Sequence, residues 1–356
     1  MNRTEQYTTA WQAPSNIALI KYWGKHGYQL PNNTSLSITL DKAVTTTRLT
    51  AVPRSTIAST NSDISLDFSF GGTPNPAFGK RIEKYMASLT YQMPFLKDIH
   101  LKIESDNTFP HSAGIASSAS SMAALALCLT DIQQEMQSGV EHSQDLFQRA
   151  SMLARLGSGS ASRSVFGGWV TWGKTEKIIG SSNEYASPLD LELDPLFRDM
   201  GVAVMIVSGQ PKKLSSSLGH QLMEQHPWAP ARYVQAENHL EQILHAMKSG
   251  DFEEFSQITE NEALSLHSLL MTSAPEGLLI KPASLKIIEE VRHFRARSGI
   301  PVCFTMDAGP NVLLIYPRQF KDQITDFIRA DLVRHCENGR WIDDQLGKGP
   351  MKIKEA

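Results

Sequence analysis

Hydrophobic and polar positions along this chain follow two rhythms that exchange several times. Ser35–Leu40 alternates strictly, with Leu36, Ile38 and Leu40 apolar between hydroxyl residues, and Thr45–Ala51 follows with Thr-rich polar positions. A period of two belongs to a half-buried strand, so these segments predict a pair of strands. His100–Ser105 predicts another short strand, and Gly167–Trp172 returns to strand character after a glycine- and serine-rich stretch. The helical period governs Lys80–Ala87, Ser120–Gln137 and Ser143–Leu156, and later the longer Pro230–Lys248, Phe252–Met271 and Pro282–Ser298. Gly201–Val207 is a buried-strand run, and Val302–Met306 pairs with Val312–Tyr316 across a Gly-Pro turn. Ser181–Pro195 is polar and carries Ser, Asn and Pro, which makes it the best boundary. The expectation is a mixed α+β chain of two lobes, residues 1–195 and 196–356, with a ligand cleft between them.

Composition narrows this picture. A chain of 356 residues exceeds the size at which one core usually stops growing, and 41% apolar residues suffice for two. A net charge of −3 gives no support for a nucleic-acid or acidic-membrane partner. Met1–Ala10 is polar, without a signal-peptide core, and no apolar run approaches a membrane span. Cys128, Cys303 and Cys336 are odd in number and far apart, the usage of reduced thiols in a cytoplasmic protein.

Three segments carry candidate chemistry. Phe109-Pro-His-Ser-Ala-Gly-Ile-Ala-Ser-Ser-Ala-Ser-Ser121 precedes the apolar run Met122–Leu129. Small residues at a helix start let backbone N–H groups approach an anion, and the helix end adds about half a positive charge. No Gly-Lys-Ser/Thr follows, so this is not a Walker A loop, and alone it reads equally as a capped helix with a small packing face. In Ala13-Pro-Ser-Asn-Ile-Ala-Leu-Ile-Lys-Tyr-Trp-Gly-Lys25 an apolar strand ends in two cations, a phenol and an indole. Continued pleating puts Lys21, Trp23 and Lys25 on one face and Tyr22 on the other, unless Gly24 bends the chain. Gly157-Ser-Gly-Ser-Ala-Ser-Arg-Ser-Val-Phe-Gly-Gly168 embeds one Arg, a bidentate donor for a carboxylate or phosphate, in what is otherwise linker composition.

Asn16–Lys25, Gly114-Ile-Ala-Ser-Ser-Ala119, Gly157–Arg163 and Asp307-Ala-Gly-Pro-Asn311, in that order, resemble the diphosphomevalonate decarboxylase family of the GHMP kinase superfamily. The likeness runs from about Trp11 to Tyr316. Lys-Tyr-Trp-Gly-Lys and Asp-Ala-Gly-Pro-Asn are specific to the decarboxylase branch, whereas the Gly-x-x-Ser-Ser-Ala loop marks the wider superfamily. The resemblance implies a GHMP-kinase two-lobe fold, with an N-terminal lobe like the second domain of a small-subunit ribosomal protein and a ferredoxin-like α/β C-terminal lobe. It implies ATP-dependent decarboxylation of mevalonate 5-diphosphate to isopentenyl diphosphate, with ATP and Mg²⁺ required and a homodimer common.

Residue by residue, the resemblance makes Asp307 the group that orients or deprotonates the C3 hydroxyl, Lys21 its paired cation and Arg163 the clamp on the substrate carboxylate. Without it, Asp307 before Gly309-Pro310 is an ordinary Asx-turn residue. The diphosphate is assigned to Tyr22, Lys25, Ser158 and Ser160, with Asn16 near the reacting centre. ATP phosphates are assigned to Gly114, Ala116, Ser117 and Ser118, with magnesium bridging them near Ser118 rather than in a protein-only site. Lys212, Ser215 and Ser216 are carried over from the family's closing segment, where Ser215-Ser-Ser217 leaves the register open and a solvated basic loop competes. Departures are His111-Ser112 where Thr-Ala is usual, and Ser162 where Cys is common. Asn61–Phe78, facing adenine in the family, is too divergent to name residues. His267 reads as a packed helix histidine. A mevalonate 3-kinase, a decarboxylase of the 5-phosphate, and a non-catalytic binder of an isoprenoid intermediate are the alternatives.

Overall fold

A computed structural model of the chain describes residues 6–56, 63–109, 115–136, 146–210, 216–273 and 277–354. The alternating segments become β1 (Tyr7–Ile20), β2 (Ser35–Pro53), β3 (Ser65–Phe70), β4 (Ile99–Asn107) and β5 (Trp169–Trp172) of one sheet. In it β1 and β2 pair antiparallel along most of their length, β2 continues to β4, β3 adds parallel to β4, and β5 pairs with the first residues of β2. Three helices, α1 (Pro76–Leu89), α2 (Ser117–Met136) and α3 (Leu146–Gly157), share a core with this sheet. The Ala- and Leu-rich α2 is buried almost all round, and that is why its sequence shows an apolar run rather than a stripe.

The second sheet is antiparallel throughout and contains β6 (Met200–Met205), β7 (Cys303–Thr305), β8 (Val312–Pro317) and β9 (Trp341–Gln345) in the order β7-β8-β6-β9. Its helices are the short α4 (Ser216–Leu222), then α5 (Ala229–Ser249), α6 (Phe252–Ser273) and α7 (Pro282–Ser298). One apolar cluster belongs to both halves: Ile17, Leu19, Leu36 and Ile38 pack with Val202, Val204, Leu240 and Phe255. The short β10 (Met351–Lys352) returns to the first sheet and pairs with β1 at Trp11 and Gln12. Among the described residues no helix is long and apolar enough to cross a membrane.

Two expectations are corrected. Ser35–Leu40 and Thr45–Ala51 are not two strands around a turn but one strand, β2, interrupted by a bulge. Its register against β1 jumps from Val44 opposite Pro14 to Thr39 opposite Asn16. The bulged residues Asp41, Lys42 and Ala43 donate their N–H groups to the Asp344 carboxylate of β9, at 2.8, 2.9 and 2.8 Å. A side chain from the other sheet supplies the acceptors a turn would have provided, so the strand runs on. The second correction concerns the end of β1, where pleating stops at Ile20 and Gly24 takes φ +97°. A Cβ there would also meet the Tyr233 hydroxyl, so only glycine fits. Lys21, Tyr22, Trp23 and Lys25 therefore all line the same cleft instead of dividing between two faces.

Candidate active site

The cleft between the lobes encloses about 530 Å³. Its floor comes from the end of β1, its N-terminal wall from α1, the start of α2 and the turn after α3, and its other wall from α4, α6 and the loop after β7. Ten of the predicted residues line it: Asn16, Lys21, Tyr22, Lys25, Ala116, Ser118, Ser158, Ser160, Arg163 and Asp307. Ser117 lies in the first turn of α2, but its side chain is buried outside the cleft lining. Gly114, Lys212 and Ser215, with His111 and Ser112, fall outside the described residues, and Ser216 is placed only as the first residue of α4.

At the centre, the Lys21 ammonium is 2.9 Å from Asp307 Oδ1 and donates also to the Ala18 carbonyl at 2.6 Å. Lys21 is buried and Asp307 is 28% exposed, so the carboxylate faces the cleft while the cation sits behind it. Burial pushes the Lys21 ammonium below its ordinary range, against the opposing pull of Asp307 and then Glu262. Asp307 is itself fixed through its backbone. Its carbonyl accepts from Gly309 N–H at 2.6 Å and from His267 Nε2 at 3.1 Å, and the following Asn311 is tied to Ser208 by two hydrogen bonds. His267 thus does more than pack: it holds the loop that carries Asp307. Burial depresses its imidazole to about 4.

Arg163 lies in a tight 3₁₀ turn, Gly159–Val165, not in a linker. Its guanidinium donates to Asn16 Oδ1 at 3.1 Å and to the Ser35 hydroxyl at 2.5 Å, and it stands 5.9 Å over the Trp172 ring. Asn16 Nδ2 holds the same turn through Ser160 O and Ser164 Oγ. Burial lowers the guanidinium to about 10, with Asp307 opposing, and a planar donor held this way suits a carboxylate.

The Tyr22 hydroxyl is buried and has no hydrogen-bond partner among the described residues. Its ring is wedged between Trp172 and His220, at centroid distances of 4.7 and 4.3 Å. A Cβ on Gly159 would press on that hydroxyl, so the glycine keeps the donor accessible from the turn. Lys25 reaches Gln29 Oε1 at 2.9 Å, and Arg81 of α1 also lines the cleft. Ser158 Oγ is 3.4 Å from Ser118 Oγ, which brings the serine turn up to the start of α2. Thr45 Oγ1 bonds Ser120 at 2.6 Å and Ser15 donates to Ile115 O, pinning that helix start to the sheet, with Ala116 at φ +48°.

Ser35, Arg81, His220 and the Glu262 cluster behind Lys21 were missed in the sequence. They sit in ordinary strand and helix patterns, and only the fold brings them here.

A part-exposed carboxylate paired with the Lys21 ammonium and facing the Arg163 guanidinium, in one cleft with a serine-rich helix start, defines a phosphoryl-transfer cleft of the two-lobed small-molecule kinase type. Residues 13–186 match the family described as Diphosphomevalonate decarboxylase-like N-terminal domain, and residues 202–352 match Mevalonate 5-diphosphate decarboxylase C-terminal domain. Diphosphomevalonate decarboxylase mvd1 of Aspergillus fumigatus is 31% identical over 93% of this chain and 82% of its own. Mevalonate diphosphate decarboxylase from Staphylococcus aureus superposes with a TM-score of 0.80 at 31% identity, over 98% and 99% of the two chains. MDDEF, solved in complex with MVAPP, AMPPCP and magnesium, superposes with a TM-score of 0.81 at 30% identity, over 99% and 100%. The chain belongs to the diphosphomevalonate decarboxylase family, and its two lobes form the GHMP-kinase-type fold.

Proposed function

We propose that this protein is an ATP-dependent carboxy-lyase that converts mevalonate 5-diphosphate to isopentenyl diphosphate, releasing ADP, phosphate and carbon dioxide. The observation that carries the reading is the meeting of Lys21, Asp307 and Arg163, from three distant segments, in one buried corner of a cleft. Asp307, with its exposed oxygen, orients the C3 hydroxyl and takes its proton, with the Lys21 ammonium 2.9 Å from its other oxygen. Once the C3 oxygen carries phosphate, the same carboxylate is a fixed negative charge beside an electron-deficient carbon. Arg163 holds the substrate carboxylate, and its two ties to Asn16 and Ser35 aim it. Tyr22, Lys25, Ser158 and Ser160 grip the diphosphate, and Arg81 is a further cation in the cleft lining.

ATP and Mg²⁺ supply the leaving group and the charge neutralisation for the transfer. The start of α2 fits nucleotide phosphates, since Ala116 and Ser118 present small side chains and helix N–H groups to the cleft. Among the described residues no group of three or more His, Cys, Asp or Glu side chains could cage a metal. The Ser118 hydroxyl, at the start of α2, would be a protein donor for a magnesium ion bridged by the nucleotide phosphates. An apolar cavity of about 200 Å³ opens beside this helix start, lined by Phe68, Phe78, Ile82 and Met122, and suits the adenine ring. We propose further that the enzyme divides into lobes 1–195 and 196–356, and that it is a cytoplasmic homodimer, a reading that rests on the family resemblance.

Purified protein is to be incubated with ATP, Mg²⁺ and, separately, mevalonate, its 5-phosphate or its 5-diphosphate, with ADP and carbon dioxide measured together. Matched release with the diphosphate is expected. ADP without carbon dioxide would make the protein a 3-kinase, preference for the monophosphate would relocate the substrate, and silence with all three would make it a binder.

A further inference from the structure

Behind the reacting corner lies a second carboxylate, that of Glu262 on α6, fully buried and outside the cleft lining. Its Oε2 accepts the backbone N–H of Lys21 at 2.8 Å and the Arg232 guanidinium of α5, and its Oε1 accepts His239 Nδ1 at 2.6 Å. Arg232 reaches on to the Lys21 carbonyl at 3.5 Å. Both ends of the Lys21 residue are thus held from α5 and α6 of the second lobe, while its side chain meets Asp307, also from the second lobe. Lys21 itself follows the last residue of β1, where the pleat has ended and no strand partner fixes it.

We infer that Glu262 is a positioning residue for Lys21. Its carboxylate, locked by Arg232 and His239, fixes the peptide from which the ammonium reaches Asp307 and adds a negative charge beside that ammonium. The inference rests on the reading of Lys21 and Asp307 as the reacting pair. An ammonium without exposure loses hydration and needs compensating charge. The charged and titratable groups around it are Asp307 after β7, Glu262 and His267 on α6, Arg163 in the 3₁₀ turn, and Arg232 and His239 on α5 behind Glu262. Of these only Asp307 and Glu262 are acidic. Burial pushes the Glu262 carboxyl up, but Arg232, His239 and the Lys21 amide outweigh it and hold Glu262 ionised.

The test is direct titration of Lys21 in the full-length protein labelled with [¹³Cε]lysine, its resonance assigned by loss in Lys21→Arg. Glu262→Gln removes the negative charge and leaves Arg232, so the Lys21 midpoint is expected to fall by about one pH unit or more. Arg232→Gln removes the positive charge and leaves Glu262 held by His239, so the midpoint is expected to rise. Opposite shifts are a signature that general loosening of the fold does not produce, and the Arg232 variant keeps the test available if Glu262→Gln fails to fold. Turnover in Glu262→Gln is expected to fall about ten-fold with KM for ATP unchanged. An unmoved midpoint in both variants, or shifts of the same sign, would overturn the inference. Opposite shifts with full turnover would uphold the placement of Lys21 and instead overturn its part in the chemistry.

Discussion

Asp307 and Glu262 are both carboxylates that bond the same lysine, one its ammonium and the other its backbone N–H, yet they are finished differently. Glu262 is fully buried and accepts from Lys21 N–H, Arg232 and His239. Asp307 accepts Lys21 on Oδ1, keeps 28% of its side chain exposed, and receives no hydrogen bond on Oδ2 among the described residues. The contrast separates a carboxylate whose lone pairs are spent on holding the fold from one that retains an acceptor for substrate. Burial of a charged pair is weak evidence of reactivity; an unspent acceptor facing a cavity is stronger.

The comparison predicts an exchange of effects. Asp307→Asn should lower turnover by about 10²–10⁴-fold with ATP affinity nearly intact, as steady-state kinetics will show. Because it leaves the buried Lys21 ammonium without its partner on the cleft side, it should also lower the melting temperature, by less than Glu262→Ala, in a melting curve. Glu262→Ala should do the reverse in emphasis. Stranding Arg232 without its partner costs about 3–5 kcal/mol of unfolding free energy, measurable by denaturant titration. Equal stability losses in the two variants would erase the distinction.

His267 sharpens it from a third side. It is buried, its imidazole is depressed from 6.5 to about 4, and its Nε2 donates to the Asp307 carbonyl. The unfolded chain takes up a proton on this group near pH 6.5 and the folded chain only near 4, so stability is full above the first value and falls as pH drops towards the second. The loss is about 3 kcal/mol, and His267→Gln should flatten that acid slope in urea midpoints measured across the range. Lys25→Ala, at the diphosphate end, should raise KM for the diphosphate substrate by roughly ten-fold with less effect on kcat, the loss of one charge-assisted contact. Least of all, Lys286→Gln breaks an ion pair with Glu289 that is exposed on both sides, and the melting temperature should not move.

Much of the frame was legible before the fold was known. The helices α5, α6 and α7 fall within two residues of their predicted spans because apolar stripes marked all three, and an early Pro and a closing Gly marked α5 and α7 as well. The strands β6 and β8 announced themselves as unbroken apolar runs. The site motifs were visible because Lys21, Arg163 and Asp307 stand in unusual local sequences. Glu262 was not, since on a helix of ordinary pattern it looks like any solvated glutamate. Its partners Arg232 and His239 lie 30 and 23 residues away on another helix, a separation no local reading spans. The bulge in β2 was hidden for the same reason. Nothing near Asp41 and Lys42 signals that Asp344 will meet their N–H groups, so the segments on either side read as two strands.

That bulge also orders events in time. The acceptor for the N–H of Asp41 is placed 303 residues further along the chain. At about 5–20 residues per second of ribosomal synthesis, β2 waits on the order of fifteen seconds to a minute for it. The longest strand of the first sheet cannot settle as a finished unit until Asp344 has been made. The nascent first half keeps three backbone donors in water until the second sheet arrives, and the bulge closes only once β9 has left the ribosome.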